Sequence, residues 1–440
     1  MRGANVRPGG ASVVSRPGDD SQTSRLSLAL GGLAAFAVYF AMYAFRKPFA
    51  AATYIDVAGW HGAIDYKTAL LIAQVLGYAL SKLIGVRVIA EAGREARARL
   101  ILALIAASWI ALVLFALIPA PWNVVCLFLN GLPLGLIWGL VFSYVEGRRA
   151  SELLGAMLCA SFILSSGVVK SAATLLMAAG VSEWWMPAAT GLAFTPLLLI
   201  ALWQLERLPP PDARDRAERV ERVPMPAAGR AAFWRAHGGT LTMLVLAYTL
   251  LTAMRDVRDN FSAEIWAALG RGGQATLFTL SELPVAVVTL GVLGALMLVR
   301  DNRRALLAMH ALIAAGAVIL GTATLAFQAG MLSPLAWMTL TGAGLYLAYT
   351  PFNAMLFDRM IAAIGTAANA GFLIYIADSS GYAGSVALLL ARSIAAPHLE
   401  WLGFFERCSY ATAFIVLVLT GLSALRFLSA PLEGRRHATI

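Results

Sequence analysis

Twelve apolar runs, each about as long as a bilayer is thick, constrain this chain more than any other feature. A hydrocarbon core about 30 Å thick takes roughly 20 mostly apolar residues of helix. Such runs lie near 27–48, 68–89, 100–118, 122–145, 153–177, 185–204, 239–260, 276–299, 305–327, 332–357, 364–391 and 408–427. In lipid a backbone must satisfy its own hydrogen bonds, so each run reads as a helix. Composition closes off the alternatives. Of the 440 residues 60% are hydrophobic and 13% charged, against about 25% charged in a soluble domain. That excludes a soluble enzyme, a nucleic-acid-binding protein despite the net charge of +10, and a disulfide-built secreted protein. Cys126, Cys159 and Cys408 sit in or beside apolar runs and suit lone membrane residues. The first 25 residues are polar and rich in Gly, Pro and Ser, and are expected to form a disordered tail, not a cleavable signal.

Lys and Arg set the orientation. They concentrate in the N-terminal tail, in the loops after even-numbered spans and in the C-terminal tail. Examples are Arg87, Arg94, Arg97 and Arg99 after span two, and Arg300, Arg303 and Arg304 after span eight. The expected placement is multi-pass in the cell (inner) membrane, with both termini cytoplasmic. The longest polar stretch, 205–237, begins ERLPPPDARDRAERVERVP and reads as a cytoplasmic linker. It separates a six-helix bundle at 26–204 from another at 238–429, with a tail at 430–440. An internal repeat supports that division. AMYAFRKPFAA (41–51) and AMRDVRDNFSA (253–263) agree at Ala41/Ala253, Met42/Met254, Arg46/Arg258, Phe49/Phe261 and Ala51/Ala263. Two parallel six-helix halves resemble the major facilitator superfamily, so the expected fold is an all-α membrane protein of twelve helices in two pseudo-symmetric bundles.

An ionisable side chain within a span costs about 2.5–3.5 kcal/mol or more and is a functional candidate by default. The candidates are Arg46, Lys47, Lys82, Lys170, Arg255, Asp256, Arg258, Glu282 and Asp378, six cations against three carboxylates. An acidic solute would make up the difference. One-turn spacing places tyrosines beside them. Tyr39, Met42 or Tyr43, and Arg46 share a face of span one, and Tyr78 and Lys82 a face of span two. Ser166 lies a turn from Lys170, and Tyr248 and Thr252 lead to Arg255. Tyr346, Tyr349 and Asn353 line up in span ten, and Tyr375, Asp378 and Tyr382 in span eleven. A competing reading lets Arg46, Arg258 and above all Lys47 snorkel to the headgroups from the span ends. Asp378 and Glu282 equally suit structural pairs with the cations.

These residues resemble the organophosphate:phosphate antiporter branch of the superfamily. Tyr43, Arg46, Lys47 and Phe49 are similar to its Tyr-x-x-Arg-Lys-x-Phe motif, and Tyr78, Ser81 and Lys82 to its Tyr-x-x-Ser-Lys motif. LFLNGLPLGLIWG (127–139) places Trp138 at the family's tryptophan. Tyr349-x-Pro351, GTAA (365–368) and GYAGSVA (381–387) follow suit. The resemblance implies a central cavity in which one arginine from each half grips a phosphate: Arg46, and Arg255 or Arg258, with Lys82 as a third contact. Guanidinium binds phosphate oxygens bidentately, which agrees with that role. The sequence departs from the branch in three places. Its span-five histidine is missing from Cys159-Ala160-Ser161-Phe162, Lys170 and Asp378 are extra charges, and the cytoplasmic Gly-x-x-x-Asp-Arg-x-Gly-Arg-Arg loop is degenerate from Gly85 and at Arg300-Asp301-Asn302-Arg303.

The expected function is secondary transport of a small organic or phosphorylated anion by alternating access, with exchange for phosphate as one mode. The expected substrate contacts are Arg46, Lys82, Arg255, Tyr39, Tyr43, Tyr78, Trp138, Tyr349 and Tyr382. Lys170, Glu282, Asp378 and Arg258 are coupling or charge-pair candidates. A proton-coupled carrier using Asp378 or Glu282 is the alternative, and an anion-sensing receptor a third. Catalysis has only His61 and Asp65 in a loop to draw on, with no partner nucleophile. No cofactor or metal is expected. The partners are the anion and the bilayer, not nucleic acid, with a monomer as the superfamily default.

Overall fold

The computed structural model describes residues 19–91, 94–145, 151–208, 227–364 and 369–429. Its long helices are α1 (Asp19–Met42), α2 (Tyr66–Glu91), α3 (Arg94–Leu117), α4 (Val124–Val145), α5 (Ser151–Ala178) and α6 (Met186–Glu206). After the linker region come α7 (Ala227–Asn260), α8 (Thr276–Met297), α9 (Asn302–Gln328), α10 (Pro334–Pro351), α11 (Ala370–Ala395) and α12 (Trp401–Ser429). The described residues contain no strand. The fold is all-α, as the apolar runs require.

Among the described residues, nine helices are long and apolar enough to cross a membrane: α3 to α9, α11 and α12. α2 carries Lys67, Gln74 and Lys82, and α10 carries Tyr346, Tyr349 and three threonines. Most of these polar side chains are buried within the protein. Three boundaries differ from expectation. α1 is helical from Asp19, inside the expected tail, and α7 from Ala227, inside the expected linker. α6 likewise runs into the expected linker, to Glu206; residues 1–18 and 209–226 and the GTAA segment lie outside the described residues.

The helices form two six-helix bundles. In the first, α4 packs on α2 and α3, and α1 on α5 and α6; in the second, α7 packs on α11 and α12, and α10 on α8 and α9. α2 and α4 approach closely because a Cβ on Gly131 would stand 2.2 Å from the Gln74 carbonyl oxygen. α5 and α8 join the bundles, with Ser171 donating to the Ala275 carbonyl at 2.5 Å and sharing a 2.7 Å hydrogen bond with Thr279.

Two helices depart from regular α geometry. α1 stops at Met42 and passes through 3₁₀ turns at Tyr43–Phe45 and Pro48–Ala51. Pro48 has no N–H with which to continue a helical ladder, and it opens the second of these turns. α10 ends at Pro351, where a π turn over Phe352–Leu356 leads into a further helical segment, Phe357–Ile364. Such π turns accompany functional positions in helices.

Candidate functional site

Both breaks border the interface between the bundles. There a small cavity of about 20 Å³ is lined by Tyr43, Arg46, Lys47 and Phe162 from the first bundle and by Arg255, Asp256, Asp259 and Tyr346 from the second. It has room for about one water.

Arg46 lies in the break of α1. Its guanidinium stacks on the Tyr78 ring at 4.1 Å and lies 5.8 Å from Tyr43. Nε is buried without a hydrogen-bond partner. Among the described residues no carboxylate pairs with it. Tyr39 packs edge-on against Tyr43, with ring centroids 5.6 Å apart.

Arg255 faces it from α7. It donates to Asp256 Oδ1 at 2.7 Å and lies over the Tyr349 ring at 4.2 Å. The other Asp256 oxygen accepts from Ser385 at 2.8 Å. Arg258 sits elsewhere. It is 1% exposed, donates to Glu282 at 2.6 Å and to the Met338 carbonyl at 2.7 Å, and does not line the cavity. Gly342 makes room for it, since a Cβ there would lie 2.5 Å from Nη2 and 2.7 Å from Cζ. Gly342→Ala is therefore expected to push the guanidinium off Glu282 and destabilise the protein by about 1–3 kcal/mol. Thermal unfolding in detergent measures this; an unchanged midpoint would contradict the packing.

The residue that sequence reasoning missed is Asp259. Lys47 donates to its Oδ2, Lys170 to its Oδ1 and its carbonyl, both at 2.7 Å, and Ser166 to Oδ1. Lys47 also reaches Asn260 Oδ1 at 2.7 Å, and Lys170 reaches Ser262 at 3.0 Å. This overturns the interfacial reading of Lys47, which is 7% exposed and paired across the two bundles. It also corrects the charge count: with Asp259 the cations exceed the carboxylates by two, not three. The sequence carried a signal for this. Lys47 and Asp259 are 212 residues apart, the same offset as Ala41 and Ala253 in the repeat (253 − 41), so they occupy equivalent positions in the two halves. Residues at equivalent positions meet where they lie on a twofold axis relating two bundles.

Lys82 does not reach the cavity. It pairs with Asp378, whose other oxygen accepts from Tyr248. With that proton committed to Asp378, the Tyr248 hydroxyl accepts from Tyr349 at 3.1 Å and from Asn353 Nδ2 at 3.2 Å. Tyr382 packs against Tyr78, centroids 5.7 Å apart, and 5.1 Å from the Lys82 ammonium. Trp138 stacks on Phe142 at 4.9 Å and is absent from the cavity lining. Two more ion pairs join the bundles: Lys67 with Glu264 at 2.7 Å, and Arg392 with Asp65. With Lys47–Asp259 and the α5/α8 contact, they close the end of the interface that carries the loops following odd-numbered helices. His61 is exposed, and Asp65 is engaged by Arg392. Among the described residues no His, Cys, Asp and Glu cluster could hold a metal ion.

Residues 48–429 match the model of DUF5690, a family of unknown function. The chain belongs to this family. No curated protein matches the sequence. Among solved structures, a D-xylose–proton symporter superposes with a TM-score of 0.59 at 15% identity, over 91% of this chain and 96% of that one. A bacterial homologue of the human drug peptide transporters PepT1 and PepT2 gives 0.58 at 14% identity, over 91% and 97%. The human organic anion transporter MFSD10 gives 0.54 at 13% identity, over 93% and 100%. This DUF5690 member thus has the major facilitator fold and is a multi-pass membrane protein. At such identities the likeness reaches the fold and not the branch.

Proposed function

We propose that the chain is a secondary active transporter that carries a small organic or phosphorylated anion by alternating access. One observation carries the reading: Arg46, a cation at the interface between the bundles, has no carboxylate partner among the described residues. A half-buried guanidinium in that state, with its Nε fully buried, is a receptor for an anion. Arg255 faces it from the other bundle, already balanced by Asp256, so an anion would bridge the halves. A cavity that holds about one water admits no such solute until the halves part, which suits a closed carrier. Loops after odd-numbered helices would face outward, with the termini in the cytoplasm.

The test is exchange in liposomes. Purified protein is reconstituted with internal phosphate and assayed for uptake of labelled phosphate, then of other labelled organic anions. Saturable uptake that needs an internal anion supports the reading. Folded protein that moves none of them sinks it.

The Lys82–Asp378 pair favours a second reading, in which a proton replaces Lys82 on Asp378 as the halves part. Uptake driven by an inward proton gradient, and lost in folded Asp378→Asn, is its expected signature. Uptake indifferent to the gradient removes it.

A further inference from the structure

The break in α1 exposes backbone carbonyls that a continuous helix would satisfy, and their partners form a buried side-chain network. The Phe45 carbonyl accepts from Asn130 Nδ2 at 2.9 Å, and the Arg46 carbonyl accepts from Gln74 Nε2 at 2.9 Å. Those carbonyls belong to the two peptide units that flank the Arg46 Cα. The amides also hold each other. Gln74 Nε2 donates to Asn130 Oδ1 at 2.7 Å, and Asn130 Nδ2 donates to Ser108 Oγ at 2.6 Å. Asn130 and Ser108 are fully buried and Gln74 is 3% exposed. The network therefore ties the break to α2, α3 and α4 at once. One turn beyond Gln74, the same helix supplies Tyr78, on which the Arg46 guanidinium stacks.

An unwound segment has few preferred directions of its own, and buried carbonyls left unpaired are costly. With both flanking peptide planes fixed, the direction of the Arg46 side chain is fixed as well. We infer that Gln74 and Asn130 are positioning residues for Arg46: they aim its guanidinium into the space between the bundles without touching the solute. The inference rests on the anion-transport reading for its purpose, and on the geometry for its substance. It also assigns the neighbouring Gly131 a task, because the close α2/α4 approach it permits is what lets the two amides meet.

The experiment has two arms in the full-length protein. In the first, Cys126, Cys159 and Cys408 are replaced by serine and a single thiol is placed by Arg46→Cys. Its modification rate by an anionic methanethiosulfonate reagent is compared with and without Asn130→Leu. The expected change is about fivefold or more at position 46, and less than about twofold at a control Tyr349→Cys. Gln74→Met, which leaves Asn130 in place, repeats the test if Asn130→Leu does not fold. An unchanged rate at position 46 overturns the inference. The second arm measures labelled phosphate exchange by Arg46→Lys, Asn130→Leu and the double variant. If Asn130 acts through Arg46, the double variant is about as impaired as the worse single one. Losses that multiply overturn it. Wild-type protein that exchanges no phosphate counts against the transport reading with that solute, while the thiol arm still decides the positioning.

Discussion

Arg46→Ala is expected to abolish uptake of the transported anion at concentrations near the wild-type KM. Removing one partner of a buried, hydrogen-bonded charge pair costs about 2–5 kcal/mol, which corresponds to about 30-fold to several-thousandfold in affinity. Arg46→Lys keeps the charge but loses the planar fork, so an intermediate loss of about tenfold is expected. The controls come from the other half. Arg255→Ala should also raise KM, because Arg255 lines the cavity. Arg258→Ala should instead reduce the amount of folded protein, because Glu282 would be left buried without its partner. Initial uptake rates over a range of solute concentrations, with folded protein quantified in parallel, separate these outcomes. Wild-type kinetics in Arg46→Ala would contradict the site.

The second large effect concerns stability. Asp259→Asn removes the only carboxylate that pairs with Lys47 and Lys170 among the described residues. Two buried cations are then left uncompensated, at a cost of about 3–5 kcal/mol. Lys170→Met leaves a neutral Lys47–Asp259 pair and removes an excess charge, so it should cost about 1 kcal/mol or less. Thermal unfolding in detergent should therefore show a deep loss for the first and little for the second. Adding Lys170→Met to Asp259→Asn should recover part of the loss. Equal effects of the two single variants would mean that the cluster is not a charge balance centred on Asp259.

The fold was legible because lipid permits so few solutions. Runs of about 20 apolar residues, a charged midpoint and a short repeat were enough for two bundles of six helices. What escaped was the interior of the runs themselves. Helical spacing placed Ser166 with Lys170 and Tyr349 with Asn353, and each pair does converge on one partner: Asp259 for the first, the Tyr248 hydroxyl for the second. Spacing within one helix cannot say which helix lies opposite. Asp259 stood in plain sight beside Arg258 but only the fold brings Lys47 and Lys170 to it. The break at Tyr43–Phe45 was hidden as well: nothing local showed that the helix would stop there or that Gln74 and Asn130 would take up its carbonyls. The same limit explains Trp138, assigned by motif and found stacked on Phe142 away from the cavity.

A reversible lock across the interface tests the central claim, that solute passes only as the two bundles part. Ser171→Cys with Thr279→Cys, in a chain with its native cysteines replaced, puts a thiol pair where the two hydroxyls now lie 2.7 Å apart. The measurement is labelled-anion uptake by proteoliposomes before oxidation, after it, and after reduction, with cross-linking followed in the same samples. Uptake should fall in proportion to the cross-linked fraction and return on reduction. Fully cross-linked protein that still transports at the original rate would contradict alternating access through this interface.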